Sequence, residues 1–253
     1  MKIGVSSIAL SEDVIESISR AKKYGFLSFE IGAFWPHAYY KQINKKIMDL
    51  LKESKMDIYV HAPLVDSTLL GQMPLLRKAS LDEIINSIKK AEEIGAKCVT
   101  IHSGVPSLYL YEKGILISEF ENQTRKLVET AERLKIKIAY ENVPGTLLST
   151  ADSFLQIFKN FNSKYLGMTF DISHSELSGE TDNFLKIKKK IFNVHINDCN
   201  LTEDEHLPLS QGKVNWIRIV KRLKEFYFGA IQIELFDDVI GAIESKKLLE
   251  KVI

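Results

Sequence analysis

The stretch MTFDISHSELSG, residues 168–179, decides the fold. An apolar run that reads as a buried strand ends in a carboxylate, Asp171, and an imidazole, His174, follows three residues later. The same ending recurs along the chain. DIYVHAPL (57–64) ends its run in His61, CVTIHSG (98–104) in His102, KIAYENVPG (137–145) in Glu141, FNVHIND (192–198) in His195 and IQIELF (231–236) in Glu234. One ionisable strand end is unremarkable, but a set of them asks for a common destination.

Short β-branched runs alternate with longer amphipathic, charge-rich segments, the pattern of parallel strands joined by helices. Eight such units are predicted, with strands at 2–6, 27–32, 57–61, 97–102, 137–141, 165–171, 191–196 and 229–235. Helices are predicted around 11–24, 40–55, 79–94, 118–134, 150–161, 181–188, 215–226 and 239–252. Ser11 with Asp13 and Glu16, Ser80 with Glu83, and Ser149 or Thr150 with Asp152 read as helix N-termini. No linker or composition shift divides the chain, so 1–253 is expected to be one domain. An α/β chain of 253 residues with this alternation fits a single (β/α)8 TIM barrel. The first turn, VSSIALSED, lacks the glycines that an open dinucleotide-binding sheet carries there. In a barrel the C-terminal strand ends meet at one mouth. His61, His102, Glu141, Asp171, His195 and Glu234 would then share a cleft.

Bulk properties exclude several classes. A net charge of +1 gives no global attraction to nucleic acid or anionic lipid. The basic run KIKKKI (186–191) reads as a solvated helix end. Two cysteines, Cys98 and Cys199, are too few for a disulfide framework and read as small buried residues of a reducing compartment. MKIGVSSIAL reads as a first strand, and no window has the ~18 consecutive apolar residues of a spanning helix. A cytoplasmic location without membrane contact is expected.

Carboxylates crowded into a low-dielectric mouth repel one another and resist ionisation unless something positive sits among them. No Lys or Arg ends a strand beside Glu141, Asp171 and Glu234, whereas imidazoles do. Carboxylate oxygens mixed with imidazole nitrogens form a ligand set for a divalent metal such as Zn, Mn or Co. Of six histidines, only His37 falls outside this pattern. His206 lies in a further loop motif, DEHLPLSQG (204–212), that follows the seventh strand and is expected to reach over the mouth. Glu30, on the second strand, and Trp35, in the aromatic loop GAFWPHAYY (32–40), are candidate substrate contacts. The loops 34–40, 64–77 and 103–117 would shape the substrate pocket, and 64–77 is the expected lid.

With these residues in hand, the chain resembles the xylose isomerase-like barrel superfamily, which includes sugar-phosphate isomerases and epimerases and the abasic-site nuclease endonuclease IV. The resemblance runs from IGVSS to IELF. It implies one divalent metal on Glu141, Asp171, His195 and Glu234. Endonuclease IV adds ligands for a trinuclear zinc cluster, matched here by His61, His102, His174, Asp204 and His206, so one to three ions are implied. Three departures stand out. The loop after the second strand is aromatic rather than arginine-bearing, Ser210 replaces a glycine of the family's Pro-Leu-Gly-x-Gly pattern, and INDCNL after His195 lacks the arginine of ketose epimerases.

The resemblance implies a metal-dependent isomerase or epimerase of a small sugar or sugar phosphate. Glu141 and Glu234 would pass a proton to and from the carbon beside the carbonyl, and His174 would touch a substrate hydroxyl. The alternative it implies is a zinc-dependent nuclease acting at abasic DNA sites. A homo-oligomer is compatible with either.

Overall fold

A computed structural model describes residues 1–64, 66–106 and 114–253. Eight parallel strands close in sequence order, β1 pairing with both β2 and β8. They are β1 (Lys2–Ser6), β2 (Ser28–Gly32), β3 (Asp57–His61), β4 (Cys98–Ile101), β5 (Lys137–Glu141), β6 (Leu166–Asp171), β7 (Ile191–Ile196) and β8 (Ala230–Ile233). The described helices are α1 (Val14–Lys23), α2 (Lys45–Ser54), α3 (Pro74–Glu93), α4 (Ile115–Leu134), α5 (Ala151–Asn160), α6 (Ile172–Leu177), α7 (Thr181–Phe184), α8 (Trp216–Leu223) and α9 (Val239–Glu250). The chain forms a (β/α)8 TIM barrel.

The strands divide by period two. Phe29, Ile31, Val99, Ile101, Phe170, Val194 and Ile231 are buried in the apolar layer shared with the helices. The alternate residues face the barrel axis, since Glu30, Thr100, Thr169 and Asn193 bond one another from β2, β4, β6 and β7. Below them Tyr59, Cys98, Ala139 and Ala230 form a small apolar plug. The axis is therefore sealed at one end and polar towards the other. Cys98 and Cys199 are both buried and unpaired.

Local chemistry explains where elements start. Asp13 accepts from Glu16 N–H at 2.8 Å to begin α1, and Thr150 and Ser153 form a reciprocal capping box for α5. Three expectations need correction. The third helix begins at Pro74, ahead of the predicted 79, because proline suits the first helical position. Ser80 lies inside that helix, and its hydroxyl accepts from Thr68 N–H at 3.0 Å instead of capping. The second helix starts at Lys45 rather than 40, where Asn44 caps Ile47 N–H. The short α6 was not anticipated. Asp171 starts it by accepting from His174 N–H at 2.7 Å, which turns the His174 side chain back over the strand ends.

The basic run at 186–191 ends a 3₁₀ helix, Leu185–Lys190, at the sealed end of the barrel. There Lys190 donates to the carbonyls of Ser163 and Leu166. Within the predicted lid, residues 74–77 belong to α3 and Val65 lies outside the described residues. Residues 107–113 of the loop 103–117 also lie outside them. No described helix is long and apolar enough to cross a membrane.

Candidate metal centre

Glu141, the last residue of β5, is the hub. Its Oε2 lies 2.9 Å from His102 Nε2 and 3.4 Å from His61 Nε2, while Oε1 lies 3.2 Å from His195 Nδ1 and 3.4 Å from His174 Nδ1. Glu234 Oε2 sits 2.9 Å from His195 Nδ1. The loop after β7 adds Asp204, whose carboxylate lies 3.0 Å from His174 Nε2 and 3.3 Å from His206 Nε2. Three sets of donor atoms result, each gathered within 4.8 Å: His61, His102 and Glu141; Glu141, Asp171, His195 and Glu234; His174, Asp204 and His206. All nine ligand positions expected from the sequence come together at the mouth.

The orientation of the imidazoles fits a cation. His61 Nδ1–H donates to Ala62 C=O at 2.8 Å and His206 Nδ1–H to Glu234 C=O at 3.1 Å, which turns each Nε2 lone pair towards the carboxylates. A lone pair facing an anionic oxygen repels it unless a proton or a metal ion lies between. Glu234 Oε2 and His174 Nδ1 are buried without a hydrogen-bond partner among the described residues. Hard oxygens with neutral imidazoles suit Zn, Mn or Co.

Electrostatics tells the same story. Burial pushes the Glu141 carboxyl up, yet the imidazoles of His195, His102 and His174 hold it well below the usual range. Burial likewise acts against Glu234, but His195 brings it to about 2. Burial opposes charging of His195 and His174, and the facing carboxylates overcome it and raise both well above the ordinary imidazole value. His206, against the same opposition, reaches about 9 through Asp204 and Glu234. Asp171 is pushed up by burial. Without metal, protons occupy the positions a cation would take, and the two compete for the same lone pairs.

Polar neighbours that sequence reasoning missed hold the ligands in place. Asp171 accepts from Ser173 Oγ at 2.9 Å and Asn197 Nδ2 at 3.1 Å, and Asn142 clamps its backbone through two bonds. Asp198, fully buried, accepts from the N–H groups of Cys199, Ser210 and Val214 and anchors the loop that carries Asp204 and His206. Gly212 is needed there, since a Cβ would lie 2.4 Å from Asp198 Oδ1. The one available signal was that Asn142 and Asn197 stand beside strand-end ligands in ENVPG and HIND.

The two candidate substrate contacts differ in position. Trp35 is 74% exposed on the rim, where with Phe34, Tyr39, Asp66 and Glu83 it lines a cavity of 310 Å³. Glu30 has no exposed surface and lies inside the barrel below His195, so it offers nothing for a substrate to touch. His37 is held by Ser7 Oγ and Glu12 C=O, away from the ligands. A second cavity of 460 Å³ opens beside His102, between Leu64, Thr68, Val105 and Pro144.

A closed barrel with a carboxylate–imidazole cluster at its C-terminal mouth defines the class. The model of the xylose isomerase-like TIM barrel family matches residues 18–252, and the chain belongs to that family. An uncharacterised protein of Methanocaldococcus jannaschii is 34% identical over 262 residues, covering 99% of this chain and 89% of the relative. A solved structure described as a D-tagatose 3-epimerase-like protein is 32% identical with a TM-score of 0.90, covering 100% of this chain and 97% of its own. A D-allulose 3-epimerase from Methylomonas sp. shares the fold at 16% identity and a TM-score of 0.81, covering 100% and 98%. A probable endonuclease 4 of Mycoplasma mycoides is 24% identical over 204 residues, 73% of this chain and 68% of that protein.

Proposed function

We propose that the protein is a divalent-metal-dependent isomerase or epimerase of a small sugar or sugar phosphate, acting by proton transfer at the carbon next to a carbonyl. The observation that carries this reading is the convergence of Glu141 and Glu234, from β5 and β8, on the same nitrogen of His195. The likeness to a D-tagatose 3-epimerase-like structure supports it. Glu141, Asp171, His195 and Glu234 would hold the cation, which would supply positive charge to the substrate oxygens that gain charge as the proton leaves. One of the two glutamates takes that proton and the other returns it. His174 meets a substrate hydroxyl, and Trp35 walls the pocket.

The charge of the mouth supports a small substrate. In the described residues of the loops 33–44, 62–73, 142–150, 197–215 and 234–238, the cations are Lys41 and Lys213. Against them stand Asp66, Asp198, Glu203, Glu205, Asp237 and Asp238, besides the ligands. A polyanion needs a track of cations and meets the reverse here.

One observation favours a second reading, a zinc-dependent nuclease acting at abasic DNA sites: two further donor sets flank Glu141. Elemental analysis separates the two, with one ion per chain expected for the sugar enzyme and three for the nuclease. In deuterated solvent the sugar enzyme should place deuterium on the substrate carbon across a panel of ketoses, aldoses and their phosphates. Absence of exchange in that panel, together with nicking of an abasic-site duplex that Glu141→Gln abolishes, would overturn the first reading.

A further inference from the structure

Glu30 is a carboxylate with no exposed surface, inside a barrel whose axis could have been filled by aliphatic side chains. Burying a charge is costly unless it is paired and hydrogen-bonded. Glu30 Oε1 accepts from Asn193 Nδ2 at 2.8 Å and from Thr100 Oγ1 at 3.1 Å. Thr100 is supported in turn by Thr169 at 2.9 Å. The other oxygen, Oε2, lies 2.7 Å from His195 Nε2, within ion-pair distance, and has no hydrogen-bond partner among the described residues. Asn193 Nδ2 also lies 3.2 Å from His195 Nε2, but Glu30 Oε1 is its nearer neighbour at 2.8 Å.

The far side of the ring decides the meaning of this contact. His195 Nδ1 faces Glu141 and Glu234 and belongs to the four-residue donor set. An imidazole has one proton when neutral, so an anion on Nε2 fixes it there and leaves the Nδ1 lone pair for the mouth. We infer that Glu30 is a positioning residue: from beneath the site, it holds His195 in the Nε2–H tautomer and orients its Nδ1 for a divalent cation. Asn193, the nearer donor to Glu30 Oε1, fixes the carboxylate in turn. This role rests on the metal-binding part of the function proposed above and is indifferent to whether the substrate is a sugar or a phosphodiester.

Partners of this kind commonly change metal affinity by roughly ten- to a hundredfold when removed. Zn²⁺ and Mn²⁺ should each be titrated, against a competing chelator dye, into metal-free wild type, Glu30→Gln and Thr100→Val. Glu30→Gln keeps the shape and removes the anion, so its affinity should fall roughly ten- to a hundredfold. Thr100→Val leaves the carboxylate on His195, so it should lose melting temperature while keeping affinity within about threefold, well short of the loss on removing such a partner. Equal affinities for wild type and Glu30→Gln, or equal losses in both variants, would overturn the inference. Failure of wild type itself to bind either ion would sink the metal reading beneath it. Nitrogen-15 spectra of His195 in metal-loaded wild type supply a readout that does not depend on a variant folding. Protonated Nε2 with metal-shifted Nδ1 is expected, and the opposite assignment refutes the role.

Discussion

Glu141 and Glu234 are alike in sequence and differ in surroundings. Both oxygens of Glu141 face imidazoles, whereas Glu234 meets one only through Oε2, which makes no hydrogen bond among the described residues. Glu234→Gln should therefore reduce solvent-deuterium exchange by roughly 10²- to 10⁴-fold, the usual contribution of a general base. Activity within a few-fold of wild type would remove Glu234 from the chemistry. These glutamates were legible because each interrupts an apolar strand where only a shared mouth justifies a charge. Glu30 interrupts a strand in the same way, yet it stands two residues before the end of β2, on the axis rather than at the rim. A two-residue step along a strand keeps the face and changes the depth, and sequence does not display depth.

The loop after β7 carries one of the departures from the pattern that the resemblance implies. Ser210 takes the place of a glycine, and its φ of +71° lies in the left-handed region that side chains disfavour. The loop keeps its course because Asp198 holds Ser210 N–H at 2.9 Å and because Asp198 and Leu207 exchange backbone bonds at 2.8 Å. His206, with φ of +50°, thereby reaches Asp204 and His174. Ser210→Gly should relieve strain of about 1 kcal/mol and raise the melting temperature by roughly 2–4 °C without altering metal stoichiometry. A lower melting temperature would show that the serine is accommodated without strain. The strand positions were legible from β-branched runs, while helix starts followed local caps such as Pro74 and Asn44 that compete with the amphipathic pattern.

At the scale of the molecule, the mouth couples protonation, metal and stability. In metal-free protein the folded His206 titrates at about 9 against an ordinary value of 6.5. A raised value means that its stabilisation is complete below the unfolded value and disappears as pH rises through the folded one. The melting temperature of the metal-free chain should thus fall between about pH 6.5 and 9. Metal affinity should rise over the same interval, since a cation must displace those protons. Saturating metal should raise the melting temperature and flatten its pH dependence, and a chelator should restore the slope. A metal-free melting temperature that is flat or rising from pH 6.5 to 9 would contradict the charge pairing around Asp204.

The sequence by itself determined the barrel and the ligand types, because period-two apolar runs alternating with amphipathic helices have few ways to bury their apolar faces. It also determined that the carboxylates needed cationic company, a consequence of charge alone. Only the tertiary structure decided which residues meet which. It grouped nine candidate ligands, Glu141 among them, in three sets, sent Glu30 beneath His195, and enlisted Asn142, Ser173, Asn197 and Asp198 as supports. Hydrogen bonds between residues far apart in the chain depend on strand register and loop course, which are properties of the closed barrel and of no local stretch of it.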